Sequence, residues 1–264
     1  MASTKLETII SNFEIVTLQP GLKLYHGSKS ETINSFLGAT WFSLDYTQSY
    51  LHALDELFPD IETPTTCSAF MHVYELDQPL SLIRLNGSSF VQLGKLLTGR
   101  VLLPFGQDDY ELSKELCHQL SMHDTPVSGW LLYSDQSQVM ICKPNEFVRQ
   151  ISSESIFNSP ENFVLCELIN TIHQIYINQI DPQQKANAKT KFDLYYELLM
   201  NRFPRPYYTL INPQGLLISG DEFDKMENVF KLNPNLLDGW QGLYIYDQQT
   251  LTDSLSSMVS RLVL

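Results

Sequence analysis

The chain has 264 residues, 43% of them hydrophobic, and carries 30 acidic against 17 basic residues, a formal net charge of −13. That length buries a sizeable core as one large domain or two small ones. The acidity excludes a large duplex-binding surface, because neutralising phosphates takes clustered Lys and Arg. No run approaches the ~18 apolar residues of a membrane span, so no membrane partner is expected.

In chain order, residues 1–20 mix a short amphipathic segment with turn residues. Leu22 to His26 alternates as a short strand, stopped at Gly27. Ala39 to Ser43 reads as a second strand, and Asp45 as the cap of a helix from Tyr46 to Leu57. Cys67 to Leu76 is a long strand, broken at Pro79, and Leu80 to Leu85 resumes the apolar run. Residues 87–100 hold small elements punctuated by three glycines. Tyr110 to Met122 has helical spacing, with Leu112, Leu116 and Leu120 on one face. Trp130 to Tyr133 and Val139 to Cys142 are two further strands around a polar turn.

A composition shift follows. Ser152 to Ser155 and Asn158 to Pro160 read as a linker. Two helices are expected, from Glu161 to Ile180 and from Gln183 to Arg202. Tyr207 to Ile211 and Leu216 to Ser219 flank Asn212-Pro213-Gln214-Gly215, a hairpin signal. Asp221 is expected to cap a helix to Phe230. Leu243 to Tyr246 reads as a strand and Thr252 to Leu262 as a terminal helix. The reading is α+β, with a first domain over 1–150 and a small α+β module over 161–264.

The four cysteines, Cys67, Cys117, Cys142 and Cys166, show no CxxC or metal-type spacing. They are expected to be free, mostly buried thiols in a reducing compartment. His72, His118, His123 and His173 also lack ligand spacing, so no metal is expected. No P-loop, GxGxxG, GxSxG or HExxH occurs. The N-terminus has no basic region followed by a long apolar one, so a cytoplasmic location is expected. Many Asn, Gln, Tyr and Ser beside few Ala and Gly suggest an AT-rich genome. For a viral protein of that kind, the location becomes host cytoplasm or virion.

The most informative stretch runs from Leu22 to Ala53. Tyr25-His26-Gly27-Ser28 closes a strand, Thr40-Trp41-Phe42-Ser43-Leu44-Asp45 forms the next, and a helix with small and hydroxyl residues follows. These two blocks resemble the NAD-binding half of the ADP-ribosyltransferases, in the His-Tyr-Glu branch that includes the poly(ADP-ribose) polymerases. The resemblance covers about 150 residues, with only these blocks specific. It implies a split two-sheet domain with NAD as substrate. His26 would bond a ribose hydroxyl, and Gly27, with Ser28 beside it, would admit the nicotinamide carboxamide to the backbone. Trp41 and Tyr50 would stack on the pyridinium, and Ser49 would reach the carboxamide.

The resemblance also implies a Glu at the start of a late strand, where it stabilises an oxocarbenium-like transition state. Here that strand is Val139 to Cys142, and the position holds Gln138, which can hydrogen-bond but brings no charge. Gln136 stands where arginine-modifying relatives carry Gln or Glu. Asp135 and Glu146 are the nearby substitutes. Two functions follow: ADP-ribosyl transfer from NAD to an unknown macromolecular acceptor, or a silent relative that binds a nucleotide or a protein partner. A different small α+β fold with a fortuitous Tyr-His-Gly-Ser is the third reading.

Overall fold

The computed structural model describes residues 3–55, 69–105, 107–123, 125–132, 138–156, 160–203 and 205–246. The chain begins with α1 (Ser3–Ile10), β1 (Ile15–Leu18), β2 (Lys23–Ser28), β3 (Thr40–Ser43) and α2 (Tyr46–Asp55). After β4 (Phe70–Leu76) and β5 (Leu80–Leu85) come α3 (Gly87–Thr98), α4 (Gln107–Ser121), β6 (Val127–Leu132) and β7 (Gln138–Ile141). The short α5 (Pro144–Phe147) leads into β8 (Val148–Ser155). Then come α6 (Pro160–Asn178), α7 (Pro182–Arg202), β9 (Pro206–Ile211), β10 (Leu217–Ile218), α8 (Gly220–Leu232) and β11 (Gln241–Tyr246).

The molecule is mixed α+β, with an eight-stranded sheet ordered β1-β5-β6-β7-β3-β2-β4-β8 and a three-stranded sheet ordered β10-β9-β11. Among the described strands only β5 and β6 pair in parallel. Two separate sheets were expected in the first part; one sheet runs through it instead, but it narrows in the middle. There β2 and β3 oppose one another only at Tyr25 and Ser43. By contrast β2 and β4 stay in register from Lys23–Glu75 to Ser28–Phe70. Beyond the Tyr25–Ser43 pair the two strands part, which opens the sheet.

The two parts of the chain share cores. Val91 and Leu103 pack with Leu210, Phe223, Phe230, Leu237 and Trp240. Ala53, Leu54, Ala69 and Met71 pack with Leu165, Cys166, Ile169 and Phe192 of the α6–α7 pair. A Cβ on Gly87 would lie 2.5 Å from that of Leu237, so the start of α3 sits directly on the C-terminal part. Beside it the Asp238 carboxylate accepts from the Ser88 N–H at 2.9 Å and hydroxyl at 3.0 Å.

Four sequence expectations need correction. Residues 152–155 are not linker: they continue β8, which pairs with β4 as an edge strand. Ser152 to Ser155 are polar on both faces and Ile151 points outward, so hydrophobic alternation is weak and the backbone ladder makes the strand. Residues 87–98 form one continuous helix capped by Asn86, and Gly99 ends it in the left-handed conformation. The cap of α8 is Ser219, in a reciprocal box with Glu222, rather than Asp221, which lies in the first turn.

The fourth concerns the thiols. Cys117 and Cys142 are joined in a disulfide, with Cα atoms 5.2 Å apart. The packing of α4 against the strand ends brings them together, a contact their 25-residue separation does not reveal. Cys166 is buried, as expected. The predicted terminal helix over 252–262, and Cys67, lie outside the described residues. Among the described residues no helix is long and apolar enough to cross a membrane.

Candidate functional site

A cleft of about 640 Å³ opens where β2 and β3 part. His26, Gly27, Trp41, Ser49 and Gln138 line it together, joined by Asp109, Tyr110, Gln48, His52, Tyr208 and Tyr244 among others. No Lys or Arg is among the lining residues.

His26 sits on β2 and its Nδ1 lies 2.8 Å from the Trp41 carbonyl. A carbonyl only accepts, so Nδ1 carries the proton and Nε2 is the acceptor. Burial is the main cause that lowers the His26 pKa to about 4; the Trp41 bond opposes it, and His52 and His72 push it further down. The ring is therefore neutral at pH 7.

His72 stands opposite it on β4. Its Nε2 donates to the Ser30 carbonyl at 2.9 Å, and Nδ1 accepts from Gln150 at 3.2 Å. Burial lowers its pKa also. With both nitrogens occupied within the fold, His72 is structural.

Gly27 is required for a reason the sequence does not show. A Cβ there would lie 2.7 Å from the Ala53 Cβ and 2.7 Å from the Ser49 carbonyl oxygen. The missing side chain thus lets α2 lie directly on β2, which carries Gln48, Ser49 and His52 to the cleft. Asp45 caps this helix, its Oδ1 accepting from the Thr47 N–H at 2.7 Å.

Trp41 forms an aromatic wall with Tyr110, ring centroids 6.1 Å apart and nearly parallel. Tyr110 belongs to the first turn of α4, as does Asp109. That turn is held from inside: the Ser113 hydroxyl donates to the Asp109 carbonyl at 2.7 Å and accepts from Trp130 Nε1 at 3.2 Å. Gln138 begins β7, and its side-chain Oε1 is buried with no hydrogen-bond donor among the described residues.

The C-terminal sheet supplies the remaining wall. The Gln48 side-chain amide behaves like a peptide unit toward β11. Its Oε1 accepts from the Tyr244 N–H at 2.7 Å and its Nε2 donates to the Tyr244 carbonyl at 3.2 Å. His52 Nδ1 lies 3.1 Å from the Tyr244 hydroxyl.

Three expected site residues lie elsewhere. Tyr50 stacks on Tyr46 and packs into the cluster under α6 and α7, because Ser49 and His52 already hold the cleft-facing side of α2. Ser28 ends β2 and its hydroxyl accepts from the Ser30 N–H. Glu146 lies exposed on α5, paired with Lys143 at 3.8 Å, so it does not reach the cleft. Asp135 and Gln136 lie outside the described residues. Asp109, Tyr110, Tyr208 and Tyr244 were missed. Asp109 reads from sequence as an ordinary helix-start acid, and the tyrosines carry no local signal.

Fold and site together define an α+β protein with an aromatic cleft at the waist of its main sheet, lined by no Lys or Arg among the described residues. The chain matches no protein-family model, no curated protein and no solved structure.

Proposed function

We propose that the cleft binds NAD and that the protein transfers ADP-ribose from it to a macromolecular acceptor. One observation carries the reading: residues from three separate sequence blocks, chosen for NAD chemistry, line a single cleft. These are His26 and Gly27, then Trp41 and Ser49, then Gln138. The cleft volume suits a ligand of this class. Neutral His26 offers Nε2 to a ribose hydroxyl. Trp41 and Tyr110 offer aromatic faces to the flat, cationic pyridinium. Gln138 Oε1, costly to bury without a donor (~1–3 kcal/mol), would gain one from an amide or hydroxyl of the ligand.

A second reading rests on the same Gln138. An amide where the family resemblance implies a carboxylate fits a protein that holds NAD, or a related nucleotide, and a protein partner without turning NAD over. Nicotinamide release from NAD, with NAD binding measured in parallel, separates the two. Turnover that disappears in His26→Ala supports the transferase. Binding without turnover, with activity gained in Gln138→Glu, supports the silent binder. No binding by either form overturns both.

A further inference from the structure

Among the described residues the cleft is lined by one carboxylate, and it is not Glu146, which lies exposed on α5. Asp109 lines the cleft beside Tyr110 and is only 8% exposed. Its position is rigid. Its carbonyl is fixed through Ser113 to Trp130, and its Oδ2 accepts from the Phe105 N–H at 3.2 Å. Phe105 has a left-handed backbone, φ 76°, unusual for a residue with a side chain. The turn before α4 is thus bent so that the carboxylate holds the loop while the residue stands at the cleft lining.

We infer that Asp109 is the anionic group of the site, supplying from α4 the charge that Gln138 lacks on β7. The inference rests on the NAD reading above. With no Lys or Arg among the lining residues, a positively charged ring is the part of NAD that this end of the cleft suits. In the reaction the bond between C1′ of the ribose and the nicotinamide nitrogen breaks. Its electron pair leaves with nicotinamide, which departs neutral. A hydroxyl of water or of the acceptor then bonds to C1′ and releases its proton to solvent. Positive charge moves from the pyridinium to the ribose during this step, and Asp109 faces it throughout.

The test is Asp109→Asn in the full chain. The remaining side-chain oxygen still accepts from Phe105, so the turn keeps its partner while the charge goes. Dissociation constants for NAD and NADH, nicotinamide release and Tm are measured together. The two dinucleotides differ in ring charge, so their affinity ratio reports on a counter-charge and not on folding. The unaltered protein is expected to prefer NAD by about tenfold. Asp109→Asn is expected to lose that preference and to release nicotinamide about 100-fold more slowly, with Tm little changed. An unchanged ratio and rate in Asp109→Asn would overturn the assignment. So would NAD bound but never cleaved by the unaltered protein. No NAD binding at all would instead overturn the underlying reading, and the assignment with it.

Discussion

The lining residues from Tyr25 to His52 lie in one short stretch of chain, whereas the facing wall is gathered from α4, β7, β9 and β11. The near wall is made by neighbours: β2 runs out, β3 returns, and α2 lies down over Gly27. The far wall exists only when the whole chain has folded, because α4 must dock on β6 and the small sheet must dock on α2. The difference teaches that one site can draw its shape from local and from long-range order at once. The near wall should therefore fail together with the fold, and the far wall by loosening.

The sharpest break of that contrast is Gly27→Ala. The new Cβ would press on Ala53 and on backbone of α2, which cannot give way as a side-chain tip can. A loss of about 3 kcal/mol is expected by urea denaturation, with cleft binding lost as well. If stability holds, α2 is not seated as described.

Acid should act on the same wall. His26 has its pKa lowered to about 4 in the folded chain from 6.5, so between those values the unfolded chain takes up a proton that the folded chain refuses. Stability is then expected to fall as pH drops from 6.5 toward 4 and to level off, for this group, below 4. The full effect is about 3 kcal/mol, and lowered His72 adds the same sign. A His26→Gln variant should flatten part of this slope in unfolding curves taken between pH 7 and 4. An equal slope in the variant would mean His26 titrates normally.

The smallest effect belongs to the joint between the walls. Gln48→Ala leaves the Tyr244 N–H and carbonyl without their side-chain partner. About 2 kcal/mol is expected, with faster amide exchange confined to β11. Uniform exchange changes would show that the far wall is no looser than the near one.

This division also explains what the sequence could tell. The strand ending in Tyr25-His26-Gly27, the Thr40-Trp41 strand and the capped α2 were legible because each is a local pattern. The strand beginning at Gln138 was legible from its apolar run. Gly27 was singled out for close approach of a ligand, whereas its packing role was hidden, since only the folded pair of β2 and α2 shows what occupies its empty side. Asp109 looked like any acid in a helix's first turn. Tyr208 and Tyr244 looked like any strand aromatics, because nothing in their own neighbourhoods records what they face. The β8 strand was hidden for another reason: at the sheet edge, backbone pairing with β4 makes Ser152 to Ser155 extended without an apolar face.

The Gln48 amide has one more effect, on β11 as an edge. In the order β10-β9-β11 this strand has no strand neighbour on its outer side among the described residues. Tyr244 turns both its backbone groups outward, toward Gln48, so by the alternation of antiparallel pairs Gly242 and Tyr246 also turn theirs out. A row of outward N–H and C=O groups is a template for a strand from another molecule. By occupying the middle of that row, a single side chain from the main sheet's helix blunts the edge against unwanted strand addition and aggregation.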